Sequence, residues 1–110
     1  MISQVDILMI ICLHFIGDFL LQSEWMSLNK SKRVDVLIIH CLVYSIPFIF
    51  YGWKFAVVAG ATHFPVDFIS SRITSYLYKK KEIHWFFVVI GLDQTIHYII
   101  LLTMFSWLKL

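Results

Sequence analysis

Three pairs of histidine and aspartate, each with a spacing of four residues, lie in otherwise apolar stretches of this sequence. They are His14 with Asp18, His63 with Asp67 and, in the reverse order, Asp93 with His97. Residues four apart on an α-helix differ by about 40° in direction, so both members of a pair share one face. Imidazole nitrogens and carboxylate oxygens bind Zn²⁺, Mn²⁺ and Fe²⁺. The pairs therefore predict a site for a divalent metal, with zinc as the first expectation and manganese or iron as alternatives.

The candidate ligands outnumber what one ion needs. With His40, which stands in a further apolar stretch, there are seven: His14, Asp18, His40, His63, Asp67, Asp93 and His97. A catalytic zinc takes three protein ligands and a structural zinc takes four. The preferred ligands are His14, His63 and His97, together with one or more aspartates. An aspartate left unligated would be the general base, and Asp18 and Asp67 are the candidates. The remaining groups would bind a second metal or orient the histidine rings.

Further polar residues on or beside these helix faces are candidates for substrate binding. They are Gln22, Tyr44, Arg72 and Gln94. Gln22 follows Asp18 by four residues and Tyr44 follows His40 by four, so each extends a face by one more turn. Tyr44 has a plain alternative role in packing. Arg72 and the lysines of residues 79–81 would attract an anionic lipid headgroup.

The composition predicts that a membrane surrounds the helices that position these residues. Of the 110 residues 60% are hydrophobic, and the mean hydropathy is +0.81; soluble domains have roughly 45–50% apolar residues. Crossing a bilayer takes about 17–25 residues, and four apolar runs suffice: residues 2–21, 34–51, 53–73 and 83–108. We expect one all-α domain, residues 1–110, folded as a four-helix transmembrane bundle. The net charge of +2 is not the basic face that nucleic acid requires, so the expected partner is membrane lipid.

The distribution of positive charge predicts the orientation of the helices. Seven basic residues lie in the first and third connections, against two, Lys54 and Lys109, on the other side. The positive-inside rule places the basic side in the cytoplasm. Both termini are therefore expected on the non-cytoplasmic side of an inner membrane. With this threading the aspartate of each pair lies nearer to the cytoplasm than its histidine. Residues 70–82 are either a short interfacial helix or a solvated basic loop.

A plain structural role is the alternative for each of these residues taken singly. A lone histidine in a membrane more often makes a hydrogen bond between helices than binds a metal. Chance does not explain three pairs whose order follows the direction of each helix. We therefore interpret the set as a functional site on the cytoplasmic side of the membrane.

The same residues resemble a known family. The elements that carry the resemblance are HFIGDFLLQ from residue 14, His40, HFPVD from residue 63 and DQTIH from residue 93. Together they are similar to domain-of-unknown-function family 3307, which consists of small bacterial and phage membrane proteins. The resemblance covers roughly residues 8–97 and implies a multi-helix membrane protein without an established activity. More distantly, the pattern is similar to bacterial membrane-bound metal-dependent hydrolases, in which a lysine often follows the HxxxD element by three residues. Ser70 stands at that position here.

Three functions are compatible with this pattern. The preferred one is a metal-dependent hydrolase that acts on a lipid or lipid-linked substrate at the cytoplasmic leaflet. The second is a proton or divalent-cation transport component. Residues 45–50 and 98–105 carry few polar groups for such a path, although a homo-oligomer could still form a pore. The third is a non-enzymatic phage or bacterial membrane factor that binds a host membrane protein, with the polar cluster holding the helices together.

Overall fold

The computed structural model describes residues 2–108, and each regular element in that range is helical. In chain order the elements are α1 (Gln4–Phe15), a π-helical segment (Ile16–Leu20), α2 (Glu24–Asn29), α3 (Val34–Ser45), a 3-10 segment (Ile46–Tyr51), α4 (Trp53–Lys79) and α5 (Ile83–Trp107). The prediction of an all-α fold is confirmed. Lys109, which entered the charge comparison, lies outside the described residues.

The short helix α2 was not among the predicted elements. It has six residues, and the side chain of Ser23 caps it by accepting a hydrogen bond from the backbone N–H of Met26. A helix of this length leaves no signal in a hydropathy pattern that identifies runs of about 17 residues or more. Together with the turn after it, α2 carries the chain from the π-helical segment to α3.

Helix α4 continues beyond its predicted end. The apolar run stops at residue 73, but the helix extends to Lys79. Residues 66–79 contain neither proline nor glycine, so nothing in the backbone interrupts the helix when the side chains become polar. The segment 70–82 is therefore neither a separate helix nor a loop. The chain turns at Lys81, which has a φ of 60°.

Helix α4 packs against both α3 and α5, and α1 contacts α5. The interior has two parts with different chemistry. One is an apolar cluster that includes Ile10, Phe48, Phe55, Leu101 and Phe105. The other contains the buried histidines and aspartates. The long helices thus place one polar site beside an apolar core.

Much of the outer surface is apolar. Leu8, Val57, Phe87 and Ile99 are among many large hydrophobic side chains that are more than half exposed. Within residues 2–108, two stretches, Val34–Tyr51 and Ile83–Trp107, are long and apolar enough to cross a membrane by length and composition. An apolar surface of this kind is what contact with lipid requires.

Candidate metal centre

Four buried side chains converge where the π-helical segment, α3 and α4 meet. Asp18 comes from the π-helical segment, His40 from α3, and His63 and Asp67 from α4. Each is at most 5% exposed. One nitrogen or oxygen atom from each of the four lies within 4.8 Å of the corresponding atoms of the others. We call these four residues the first group.

The distances within the first group match the requirements of a metal ion. His40 Nε2 lies 3.1 Å from Asp18 Oδ1, 3.1 Å from His63 Nε2 and 3.3 Å from Asp67 Oδ2. His63 Nε2 lies 3.5 Å from the same Asp18 oxygen and 3.4 Å from the same Asp67 oxygen. A tetrahedral ion with bonds of about 2.0–2.1 Å holds its ligand atoms about 3.3–3.4 Å apart. These five distances are therefore close to the edges of a tetrahedron, the remaining pair of atoms lies within 4.8 Å, and the group could hold a metal ion.

Local backbone structure positions Asp18. The π-helical segment places one more residue in each turn than an α-helix does. Its close approach to α3 depends on Gly17, because a Cβ atom there would lie 2.7 Å from the carbonyl oxygen of Tyr44. On α4, His63 and Asp67 lie one ordinary helical turn apart and so face the same way.

Lys30 adds a cation to the first group. Its Nζ donates a hydrogen bond to Asp67 Oδ2 over 3.0 Å, and its side chain is only 15% exposed. Two aspartates in this small buried volume repel each other, and the ammonium group offsets part of that repulsion. Lys30 therefore neutralises part of the negative charge of the two aspartates, as a bound metal ion would also do.

A second set of possible ligands comprises His14, Asp18 and His97, whose ligand atoms also lie within 4.8 Å of one another. We call it the second group; it shares Asp18 with the first. His14 Nδ1 is 2.9 Å from the hydroxyl oxygen of Tyr44, and His14 Nε2 is 2.6 Å from Gln94 Oε1. His14 Nε2 also lies 3.6 Å from Asp18 Oδ2.

Asp93 lies beside the second group and is partly exposed. It accepts hydrogen bonds from Ser70 Oγ over 2.6 Å and from Gln94 Nε2 over 3.0 Å. Its Oδ2 is 3.4 Å from His97 Nδ1. Asp93 therefore contacts the metal-binding candidates from the side of α5, with Ser70 and Gln94 fixing its carboxylate.

A cavity of about 530 Å³ connects the site to the surface. Its lining includes the buried carboxylates of Asp18 and Asp67 and the exposed lysines Lys32 and Lys79. Hydroxyl groups and the rings of Phe19, Tyr78 and Phe86 also line it. The volume falls in the range of about 300–1,000 Å³ that is typical of small-molecule sites.

The four predicted substrate-binding residues lie in different surroundings. Gln22 and Gln94 line the cavity. Tyr44 is 1% exposed and contacts His14 rather than open space. The Arg72 guanidinium stacks on the ring of Phe68, 3.7 Å from its centroid, and donates to the Phe68 carbonyl oxygen over 3.0 Å.

The structure also regroups the predicted ligands and adds residues that the sequence did not indicate. His63 joins His40 in the first group, whereas His14 and His97 belong to the second. Lys30 and Ser70 contact the aspartates, and Lys30 is one of the seven basic residues from which the orientation was predicted. A lysine in a polar connection carries no sequence signal that separates an ion-pair partner from a solvated charge.

Comparison with known proteins identifies the family of the chain. No curated protein and no solved structure matches it. The profile of the family described as "Protein of unknown function (DUF3307)" matches residues 7–110, which include all of the candidate metal ligands. The chain therefore belongs to the DUF3307 family.

Proposed function

We propose that this protein is a multi-pass membrane hydrolase that uses a divalent metal ion to act on an anionic lipid or lipid-linked substrate at the cytoplasmic leaflet. The observation that carries the proposal is the convergence of four buried ligand atoms in the first group, five of whose distances are 3.1–3.5 Å. The cavity beside Asp18 and Asp67 supports a catalytic role, because a catalytic metal needs an open position for water or substrate.

In this proposal His40, His63 and Asp18 hold the ion, and Asp67 is the general base. Lys30 already donates to Asp67 Oδ2, so that oxygen is the least available of the four to a metal. Two histidines and one carboxylate form a ligand set of zinc hydrolases, so zinc is the first ion to test. A bound ion would lower the pKa of a water molecule to about 7 and polarise the oxygen of the scissile group. Asp67 would accept the proton of that water.

The lining of the cavity supports an anionic, partly apolar substrate. Lys30, Lys32 and Lys79 contribute positive charge, while Phe19 and Phe86 contribute apolar surface. A phosphate or carboxylate headgroup would contact the lysines, and the attached chain would lie along the aromatic side chains. The cations that line the cavity come from the connection before α3 and from the end of α4, and the positive-inside rule assigns both basic segments to the cytoplasmic side.

The exposed apolar surface supports membrane insertion. The first and third predicted spans, residues 2–21 and 53–73, expose large apolar side chains such as Leu8 and Val57. The other two predicted spans also expose large apolar side chains. We therefore propose that all four segments span the membrane. The distribution of basic residues then puts both termini on the non-cytoplasmic side of the inner membrane. Each histidine–aspartate pair then lies near the cytoplasmic ends of the helices.

Transport is the weaker candidate function. A path through one chain would need polar groups to continue beyond the buried site. The interior beyond it is the apolar cluster, in which Phe48, Phe55 and Leu101 are at most 1% exposed. This packing favours a site that opens to one side.

The proposal is tested by measuring bound metal and hydrolysis together. The native protein, purified in mild detergent with Zn²⁺ supplied, should carry at least one equivalent by elemental analysis. His63→Ala should carry one equivalent less than the native protein while keeping the elution profile, and His84→Ala, which removes an exposed histidine, should match the native metal content. Lipid phosphates, esters and amides are then screened by mass spectrometry, with His63→Ala as the inactive control. A native protein that binds no Zn²⁺, Mn²⁺ or Fe²⁺ would contradict the proposal.

Replacing Lys30 tests whether this lysine keeps Asp67 from becoming a metal ligand. In Lys30→Met the metal-free protein should melt at a lower temperature, because removing one partner of a buried ion pair costs up to about 3–5 kcal/mol. The rise in melting temperature on adding Zn²⁺ should exceed that of the native protein, since Asp67 Oδ2 is then free to become a fourth ligand of the ion. Lys32→Met, which removes an exposed lysine from the same cavity, is the control. An equal rise in both variants would show that Lys30 does not keep Asp67 from the metal.

A further inference from the structure

The two oxygens of Asp18 face different histidines. Oδ1 lies 3.1 Å from His40 Nε2 and 3.5 Å from His63 Nε2. Oδ2 lies 3.6 Å from His14 Nε2 and 3.4 Å from Gln94 Nε2. A carboxylate whose oxygens point into two ligand sets has the arrangement of a bridge between two ions.

His97 is the second observation that points to an additional ion. Its ring is 2% exposed, and neither ring nitrogen makes a hydrogen bond within residues 2–108, although Nδ1 lies 3.4 Å from Asp93 Oδ2. Buried polar groups in proteins almost always have a partner. A divalent ion bound to one of these nitrogens would supply it.

His14 already has the outer contact that metal-binding histidines usually make. Its Nδ1 lies 2.9 Å from the Tyr44 hydroxyl, which can accept as well as donate a hydrogen bond. When Nδ1–H donates to Tyr44, Nε2 is left free for a metal. Nε2 would then exchange its 2.6 Å contact with Gln94 Oε1 for a metal bond, and the amide oxygen would become a further possible ligand.

The two groups are close enough to act together. The rings of His63 and His97 stack with their centroids 4.2 Å apart. Asp93, whose Oδ2 is 3.4 Å from His97 Nδ1, adds negative charge next to the second group. Dinuclear hydrolytic centres hold their ions about 3.5–4 Å apart, which a shared carboxylate permits.

We propose that the protein binds a second divalent metal ion through His14, His97 and Asp18, with Asp18 bridging it to the ion of the first group. This rests on the proposed function, because the first group must hold its own ion for Asp18 to act as a bridge. The second ion belongs to the same class of cation, Zn²⁺ or Mn²⁺, as its ligands are again imidazole and carboxylate.

Manganese provides a test that does not depend on activity. The native protein, loaded with Mn²⁺ in detergent and freed of excess ion, should contain two equivalents and give the electron paramagnetic resonance spectrum of an exchange-coupled pair. His97→Ala should contain one equivalent with an isolated-ion spectrum, and so should His63→Ala. His84→Ala should match the native protein.

The outcomes separate this inference from the proposed function. One equivalent in the native protein, unchanged in His97→Ala and without exchange coupling, would overturn the second ion and leave the first group intact. No bound Mn²⁺ and no bound Zn²⁺ in the native protein would overturn both. If His97→Ala does not fold, the native spectrum decides alone, because exchange coupling requires two neighbouring ions.

Discussion

Asp18→Asn should remove the bound metal almost completely. The substitution keeps the shape of the side chain but replaces the charged oxygens that face His40 and His14 with a neutral amide. Changes to residues that only orient metal ligands cost about 10–100-fold in affinity, so the loss of a ligand that both groups share should cost more. Elemental analysis of the purified variant, together with the Zn²⁺ dependence of its melting temperature, measures the effect.

Asp35→Asn is the matched control for this experiment. Asp35 is exposed and pairs with Arg33 over 2.7 Å, away from the two groups. The Asp35→Asn variant should retain the native metal content. Native metal content in Asp18→Asn would show that Asp18 is not a ligand and would remove the basis for a bridging carboxylate.

Gly17→Ala should have the second large effect, through packing rather than chemistry. The added methyl group would lie 2.7 Å from the carbonyl oxygen of Tyr44, which belongs to the backbone and cannot rotate away. The π-helical segment must then move from α3, at a cost of about 1–3 kcal/mol for overpacking. Because Asp18 is the next residue, the movement should also lower the metal content. Thermal unfolding in detergent and elemental analysis measure both changes.

Gly91→Ala is the corresponding control. No atom lies within 4 Å of a Cβ at that position in α5, so alanine should be neutral or stabilise the helix by about 0.5–1 kcal/mol. If the two glycine variants have the same melting temperature and metal content, the close approach of Gly17 to α3 does not position Asp18.

Hydropathy predicted the long helices well because length and apolar content identify them. The predicted run 34–51 corresponds to α3 and its 3-10 segment, and the predicted run 83–108 nearly coincides with α5, Ile83–Trp107. The short helix α2 and the polar end of α4 were missed, since a capped turn and a continuing backbone leave no trace in apolar content.

The sequence predicted which residues belong to the candidate site but not how they divide into the first and second groups. Residues four apart lie on one face only where the helix is a regular α-helix. The π-helical segment has a different number of residues per turn, so this rule does not give the direction of the Asp18 side chain. His40 and His63 lie on different helices, so their 3.1 Å contact depends on how α3 packs against α4. Sequence periodicity defines the face of one helix, whereas the pairing of faces depends on tertiary packing.

The division of the ligands between helices also bears on how the protein is made. The first group is supplied entirely by residues 18–67, whereas the second group needs His97 from α5. During synthesis, the chain can therefore complete the first group before its last helix leaves the ribosome. Insertion of α5 then closes the second group and brings Ser70 against Asp93. The second group therefore cannot form until α5 is in place.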